Sequence, residues 1–357
     1  MPEPAPEPVP EPVPEPVYER PLPELRFGVA ALVAVIVAAG GLAGWELHWR
    51  RFGVEPSIQN SDGLWARERR RIDHGDGHRT VLVGASRMLF DVDLGTWERV
   101  TGERPIQLAL EGTSPLFVLE DLATDHDFTG RLIVGVAPDV FFSGFAYRGK
   151  LGAYYRDETL AQRAGQWLSM TFLEPYAAFY DPDFALFTVL KRQDWPARVG
   201  VKVGIDVRKL SNSAADRDTW MWSKVEGDPE YRALAQKIWM QDTTPPDAKF
   251  RAELDKRLGE QIDRAAAAVG KLRARGVEVV FVRFPSITPY RDIEDRDFPR
   301  ATTWDVLLAR TGSPGIHFDD EPSLQGFDLP EWSHLAAGER PRFTEALLGA
   351  IARLKSQ

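Results

Sequence analysis

From Phe27 to Trp45 the chain runs without a charge, through Phe-Gly-Val-Ala-Ala-Leu-Val-Ala-Val-Ile-Val-Ala-Ala-Gly-Gly-Leu-Ala-Gly-Trp. No other segment limits the fold so strongly. As a helix it spans about 28 Å, close to the ~30 Å hydrocarbon core of a bilayer. Arg26 bounds it on one side, and Glu46, His48, Arg50 and Arg51 on the other. Trp45 and Trp49 suit an interfacial belt. The sequence therefore predicts a transmembrane helix over 26–46, meeting membrane lipid through residues 27–45. A buried soluble helix is the alternative, but a first element this uniformly apolar reads as a single membrane span.

Gly41-Leu42-Ala43 offers the small residues a signal peptidase needs. The preceding tail is long and acidic, unlike a short basic leader, so an uncleaved anchor is expected. Arg20 and Arg26 precede the run and Arg50 and Arg51 follow it, so flanking charge does not assign an orientation. Residues 1–25 open with proline at nearly every second position, which removes amide donors and favours an extended, solvated spacer. A linker is expected there, with protein binding as the alternative.

The rest is long enough to bury a core, and 43% of the 357 residues are apolar. A net charge of −9 argues against nucleic acid as a partner. The absence of cysteine excludes disulfides and thiolate metal sites. Residues 47–79 are charged and read as a helical juxtamembrane linker. Their Arg69-Arg70-Arg71 cluster fits either anionic headgroups or a helix end with nearby acids. His74 and His78 are separated by glycines that break a helix, so no metal site is expected.

From residue 80 onward, short apolar runs alternate with helical stretches. Strands are predicted at Thr80–Val83, Pro105–Leu110, Arg131–Val136, Val277–Pro285 and Gly315–Phe318. Helices are predicted at Leu94–Thr101, Phe117–Thr124 (capped by Ser114), Ala248–Arg275 and Arg340–Lys355. This rhythm implies an α/β fold with a doubly wound, mostly parallel sheet over 80–357. Residues 143–250 interrupt it with a helical insertion rich in aromatics, including Trp167, Phe172, Tyr176, Trp195, Trp222 and Trp239. Helices are expected there at Asp157–Leu173 and Pro229–Gln241, the latter capped by Asp228. The aromatics read as an ordinary helical core, with a lid or a sugar-stacking platform as the alternative.

Two short segments carry the candidate chemistry. Val81-Leu82-Val83-Gly84-Ala85-Ser86-Arg87 is a buried strand that ends abruptly and presents a hydroxyl at its carboxyl end. In open α/β sheets that edge is where ligands bind. A serine there needs a histidine to take its proton, and the histidine needs an acid to fix its tautomer. Glu331-Trp332-Ser333-His334-Leu335 supplies both, with Asp328 as an alternative acid.

These segments, with the Gly112 loop, the late strand and the terminal helix, resemble the SGNH (GDSL-like) hydrolase superfamily. The resemblance is patchy and leaves the insertion without a counterpart. It implies a three-layer sandwich with Ser86 in Gly84-Ala85-Ser86 as nucleophile and His334 as base. Glu331 then replaces the usual aspartate, and the oxyanion is held by the amides of Ser86 and Gly112. Asp139, in Val136-Ala137-Pro138-Asp139, stands where the family has an asparagine donor. Arg87 and Asp139 are the candidate substrate contacts.

With a membrane anchor, the resemblance implies an extracytoplasmic, periplasmic domain of the inner or plasma membrane. It implies a serine esterase or O-acetyltransferase acting on cell-envelope or exported glycan, beside a multi-spanning membrane acyltransferase partner. No cofactor is implied. The alternative is a catalytically degenerate module that binds glycan or scaffolds an envelope assembly. A nucleotide-binding domain is disfavoured, because no glycine-rich phosphate loop follows any strand.

Overall fold

The computed structural model describes residues 26–193, 206–241 and 243–354. The proline-rich tail and Trp195 lie outside them. The chain divides into two units, 1–47 and 48–357.

In the first unit the apolar run is helical. That helix begins at Phe27, is long and apolar enough to cross a membrane, and continues to Phe52. Its last turn belongs to the second unit. There Trp49 is buried with its ring 4.6 Å from Phe184, and Lys224 lies 4.2 Å over the Phe52 ring.

The second unit is built on a five-stranded sheet. The strands in chain order are β1 (Val81–Val83), β2 (Ile106–Gln107), β3 (Arg131–Val136), the hairpin β4 (Ser211–Ser213) and β5 (Thr219–Met221), β6 (Glu278–Arg283) and β7 (Gly315–His317). The sheet runs β2-β1-β3-β6-β7 with every neighbouring pair parallel, while β4 and β5 pair separately and antiparallel. From β1 the chain moves to one side to form β2, then to the other to form β3. The strand order therefore reverses at β1, the kind of point where open sheets bind ligands.

The strands are buried on both sides, which explains their continuous apolar sequences. Val81, Val83, Leu132, Val134, Val279 and Phe281 share one cluster with the helices Leu116–Thr124, Ala248–Ala274 and Trp304–Thr311. Alternate residues Leu82, Ile133, Val280 and Val282 point the other way and are equally buried. Phe343 of the terminal helix Arg340–Leu354 meets Phe284 there, with ring centroids 5.5 Å apart.

Several elements differ from expectation. Residues 47–79 are helical in part: coil after Phe52 interrupts them before a helix at Asp62–Asp73 and a short turn at Asp76–His78. The arginine cluster, by contrast, meets nearby acids, as the helix-end reading expects. Arg69 is buried against Asp121 and Asp125, Arg70 pairs with Glu158, and Arg71 with Glu68. Ser114 does not cap the following helix. Pro115 occupies the cap position, and the Ser114 hydroxyl is buried with no partner among the described residues. The β4–β5 hairpin was not legible, since Ser-Asn-Ser lacks apolar alternation. Its turn residue Arg217 (φ 64°) donates to the carbonyls of Gln107 and Ala109 at 2.6 and 2.7 Å, covering the edge strand β2. The insertion aromatics divide, with Trp222 buried and Trp167, Phe172 and Tyr176 exposed.

Candidate active site

Ser86 is the first residue of a short helix, Ser86–Asp91, that starts three residues after β1 ends. The turn is tight because Gly84 has no side chain. A Cβ there would sit 2.6 Å from Met88 Cβ and 3.2 Å from Gly135 Cα. Ser86 is half-buried, and its N–H is one of the first-turn donors that a helix leaves unpaired.

His334 is buried, and its environment fixes one tautomer. Glu331, fully buried, presents Oε1 to His334 Nδ1 at 2.6 Å and to the His334 backbone N–H at 2.7 Å. Trp239 Nε1 donates to the other oxygen, Oε2. With a carboxylate oxygen facing it, Nδ1 is placed to donate, which leaves Nε2 as the acceptor nitrogen of that tautomer. Nε2 is buried with no hydrogen-bond partner among the described residues. Such an orphan is uncommon in a folded core and is what a base awaiting its proton donor requires. The turn that allows this geometry is strained: Trp332, between acid and base, has φ 74°.

Two contacts join the His334 segment to the helix that Ser86 begins. Phe90, one helical turn after Ser86 and on the same face, lies 4.6 Å from the His334 ring. Arg87 Nε donates to Ser333 Oγ at 3.2 Å, linking the residue after Ser86 to the residue before His334. Asp328 is exposed, and its carbonyl accepts the Ala336 N–H.

Gly112 reaches the same edge through β2. Beyond the strand, Leu108 N–H donates to the Leu82 carbonyl and Leu110 N–H to the Gly84 carbonyl, at 2.8 and 2.9 Å. Gly112 follows with φ 52°, which favours glycine, and its carbonyl accepts from Tyr147. Its own N–H has no acceptor among the described residues.

Arg87 and Asp139 lie in a buried polar cluster. Arg87 bonds Glu294 at 2.7 Å and its guanidinium sits 5.6 Å over the Tyr290 ring, while its Nη1 is buried with no partner among the described residues. Glu294 also takes bonds from Arg283 at 2.7 Å and Ser286 at 2.6 Å. Burial opposes its ionisation, but Arg283 and Arg87 outweigh that and hold its pKa down at about 2. Asp139 accepts from the Tyr290 hydroxyl at 2.7 Å. Burial, then the Glu294 charge, push the Asp139 carboxyl up, against the pull of Arg87 and Tyr290. The Tyr290 hydroxyl is pushed well above its usual range by burial and by Asp139, so it remains a donor. Its ring lies 6.4 Å from Trp239, which lies 6.0 Å from His334.

Asp91 was missed at the sequence level. It closes the Ser86 helix, is fully buried, and accepts the Leu335 N–H at 2.9 Å through Oδ1, with Oδ2 unpartnered among the described residues. Burial raises its pKa to about 7, against His334, the Leu335 N–H and Arg87. Phe90, Tyr290 and Glu294 also gave no signal, because they reach the site from separate elements, while Trp239 read only as one of the insertion aromatics. His74 and His78 form no metal cluster among the described residues, and His78 Nδ1 contacts the Gly75 carbonyl at 3.1 Å. No protein-family model matches the chain, and no curated protein matches it.

Proposed function

We propose that this chain is a membrane-anchored serine acyl-ester hydrolase or O-acyltransferase with an SGNH-like three-layer sandwich, acting on a cell-envelope or exported glycan from the extracytoplasmic side. The observation that carries the reading is the buried Glu331–His334 pair, with Nδ1 fixed on the acid and Nε2 orphaned beside the helix that Ser86 begins. His334 Nε2 takes the Ser86 hydroxyl proton as Oγ attacks the ester carbonyl. The amides of Ser86 and Gly112 receive the oxyanion, and collapse expels an alcohol that recovers the proton from His334. Water or a sugar hydroxyl then deprotonates to His334 and takes the acyl group, regenerating Ser86. A membrane-embedded acyl donor protein would fit the anchored layout.

A binding module is the second reading. It is favoured by Asp139, which accepts from Tyr290 and has no N–H to offer an oxyanion. Hydrolysis of p-nitrophenyl acetate and labelling by a fluorophosphonate separate the two. Activity and labelling lost in Ser86→Ala, with turnover also lost in His334→Ala, support the enzyme. Neither signal in the folded wild-type chain overturns it.

A further inference from the structure

The insertion leaves an unusual amount of apolar surface bare. The helix Leu160–Phe172 buries none of its residues, and Trp167 and Phe172 are 60% and 59% exposed with rings 5.8 Å apart. Tyr176 is 67% exposed, and in the next helix, Leu186–Lys191, Phe187 is 80% exposed beside Leu186 and Leu190. Soluble surfaces rarely keep such patches without an occupant.

The patch is tied at two points to the end of the apolar helix. Arg50 Nη2 donates to the Tyr176 carbonyl at 2.8 Å. Phe184, two and three residues before Leu186 and Phe187, packs on Trp49. The uncharged run ends at Trp45, and four helical residues rise only about 6 Å. A headgroup layer is itself roughly 5–8 Å deep, so Trp49 and Arg50 fall within it. Trp, Tyr and Phe are the side chains that settle at this depth, and the exposed Arg51 on the same turn complements anionic headgroups.

We propose that the insertion is a membrane-seating surface, with Trp167, Phe172, Tyr176, Leu186, Phe187 and Leu190 entering the headgroup–acyl boundary around the anchor. This rests on the reading of the Phe27 helix as a membrane span. Such a seat holds the domain's tilt on the bilayer, where a bare tether would let it swing.

The chain has no cysteine, so single sites can be introduced cleanly. Phe187→Cys, Trp167→Cys, Val35→Cys in the span and Lys256→Cys at an exposed position of the Ala248–Ala274 helix are each labelled with an environment-sensitive fluorophore. The full chain is then reconstituted into phosphatidylcholine–phosphatidylglycerol vesicles with or without nitroxide lipids. The expected result is about a twofold or greater loss of emission at 35, 167 and 187, and none at 256. Quenching at 35 alone overturns the seating surface and leaves the anchor standing. No quenching at any site overturns both. Cross-linking between copies through 167 and 187 without lipid quenching also overturns it, and assigns the patch to a second copy of this chain.

Discussion

Arg87 and Ser333 are joined by a buried hydrogen bond of 3.2 Å although 246 residues separate them. One follows the candidate nucleophile and the other precedes the candidate base. The bond therefore ties the helix that Ser86 begins to the segment that carries His334. Behind it, Glu294 carries both Arg87 and Arg283.

Glu294→Gln should be severely destabilising. It leaves two buried guanidinium groups short of their counter-charge, a change worth about 3–5 kcal/mol. Thermal unfolding of the full chain in detergent checks this, and a shift no larger than that of an exposed-residue variant would count against it.

Glu331→Gln should preserve the fold and lower kcat for the model ester on the order of 1,000-fold, with KM little changed. The amide no longer selects the Nδ1–H tautomer or stabilises the imidazolium. Trp239→Phe removes only one donor from the carboxylate, so about a tenfold loss is expected. Steady-state kinetics of both variants would reverse the assignment if the tryptophan change proved the larger.

Asp91 gives a pH signature. Its folded pKa is raised to about 7 by burial, so its contribution to stability is fully present below about pH 4. That contribution is lost as pH rises through 7. Asp91→Asn keeps an acceptor for Leu335 N–H but cannot ionise. Its Tm relative to wild type should therefore climb between pH 4 and pH 8. Parallel Tm curves across that range would show that Asp91 does not titrate there.

Gly84→Ala should destabilise the unit by about 1–3 kcal/mol, because the new methyl meets Met88 Cβ at 2.6 Å and the backbone of Gly135. Chemical denaturation measures it. Pairing the change with Met88→Ala should recover part of the loss if that contact is the cause.

The sheet was legible because buried parallel strands are continuous apolar runs and the helices between them carry local stop signals. Gly276, at φ 82° after the Ala248–Ala274 helix, is one such signal. The hairpin at Ser211–Met221 was not, since its role is to hold Arg217 against a distant edge strand. The Asp62–Asp73 helix was blurred into its charged surroundings because ion pairs with Asp121, Asp125 and Glu158 stabilise it, and no periodicity records those partners.

By itself the sequence determined the elements that local chemistry dictates. These are an uncharged helix at the start, a strand that stops at Gly84-Ala85-Ser86, and an acid three residues before His334. Only the tertiary structure decided that Phe90 and Trp239 enclose the imidazole, that Arg87 is buried on Glu294, and that Asp91 is left with a bare oxygen beneath the site. Those relations join residues tens to hundreds of positions apart. They follow from how helices pack across a parallel sheet, and that packing leaves no periodic trace in the chain.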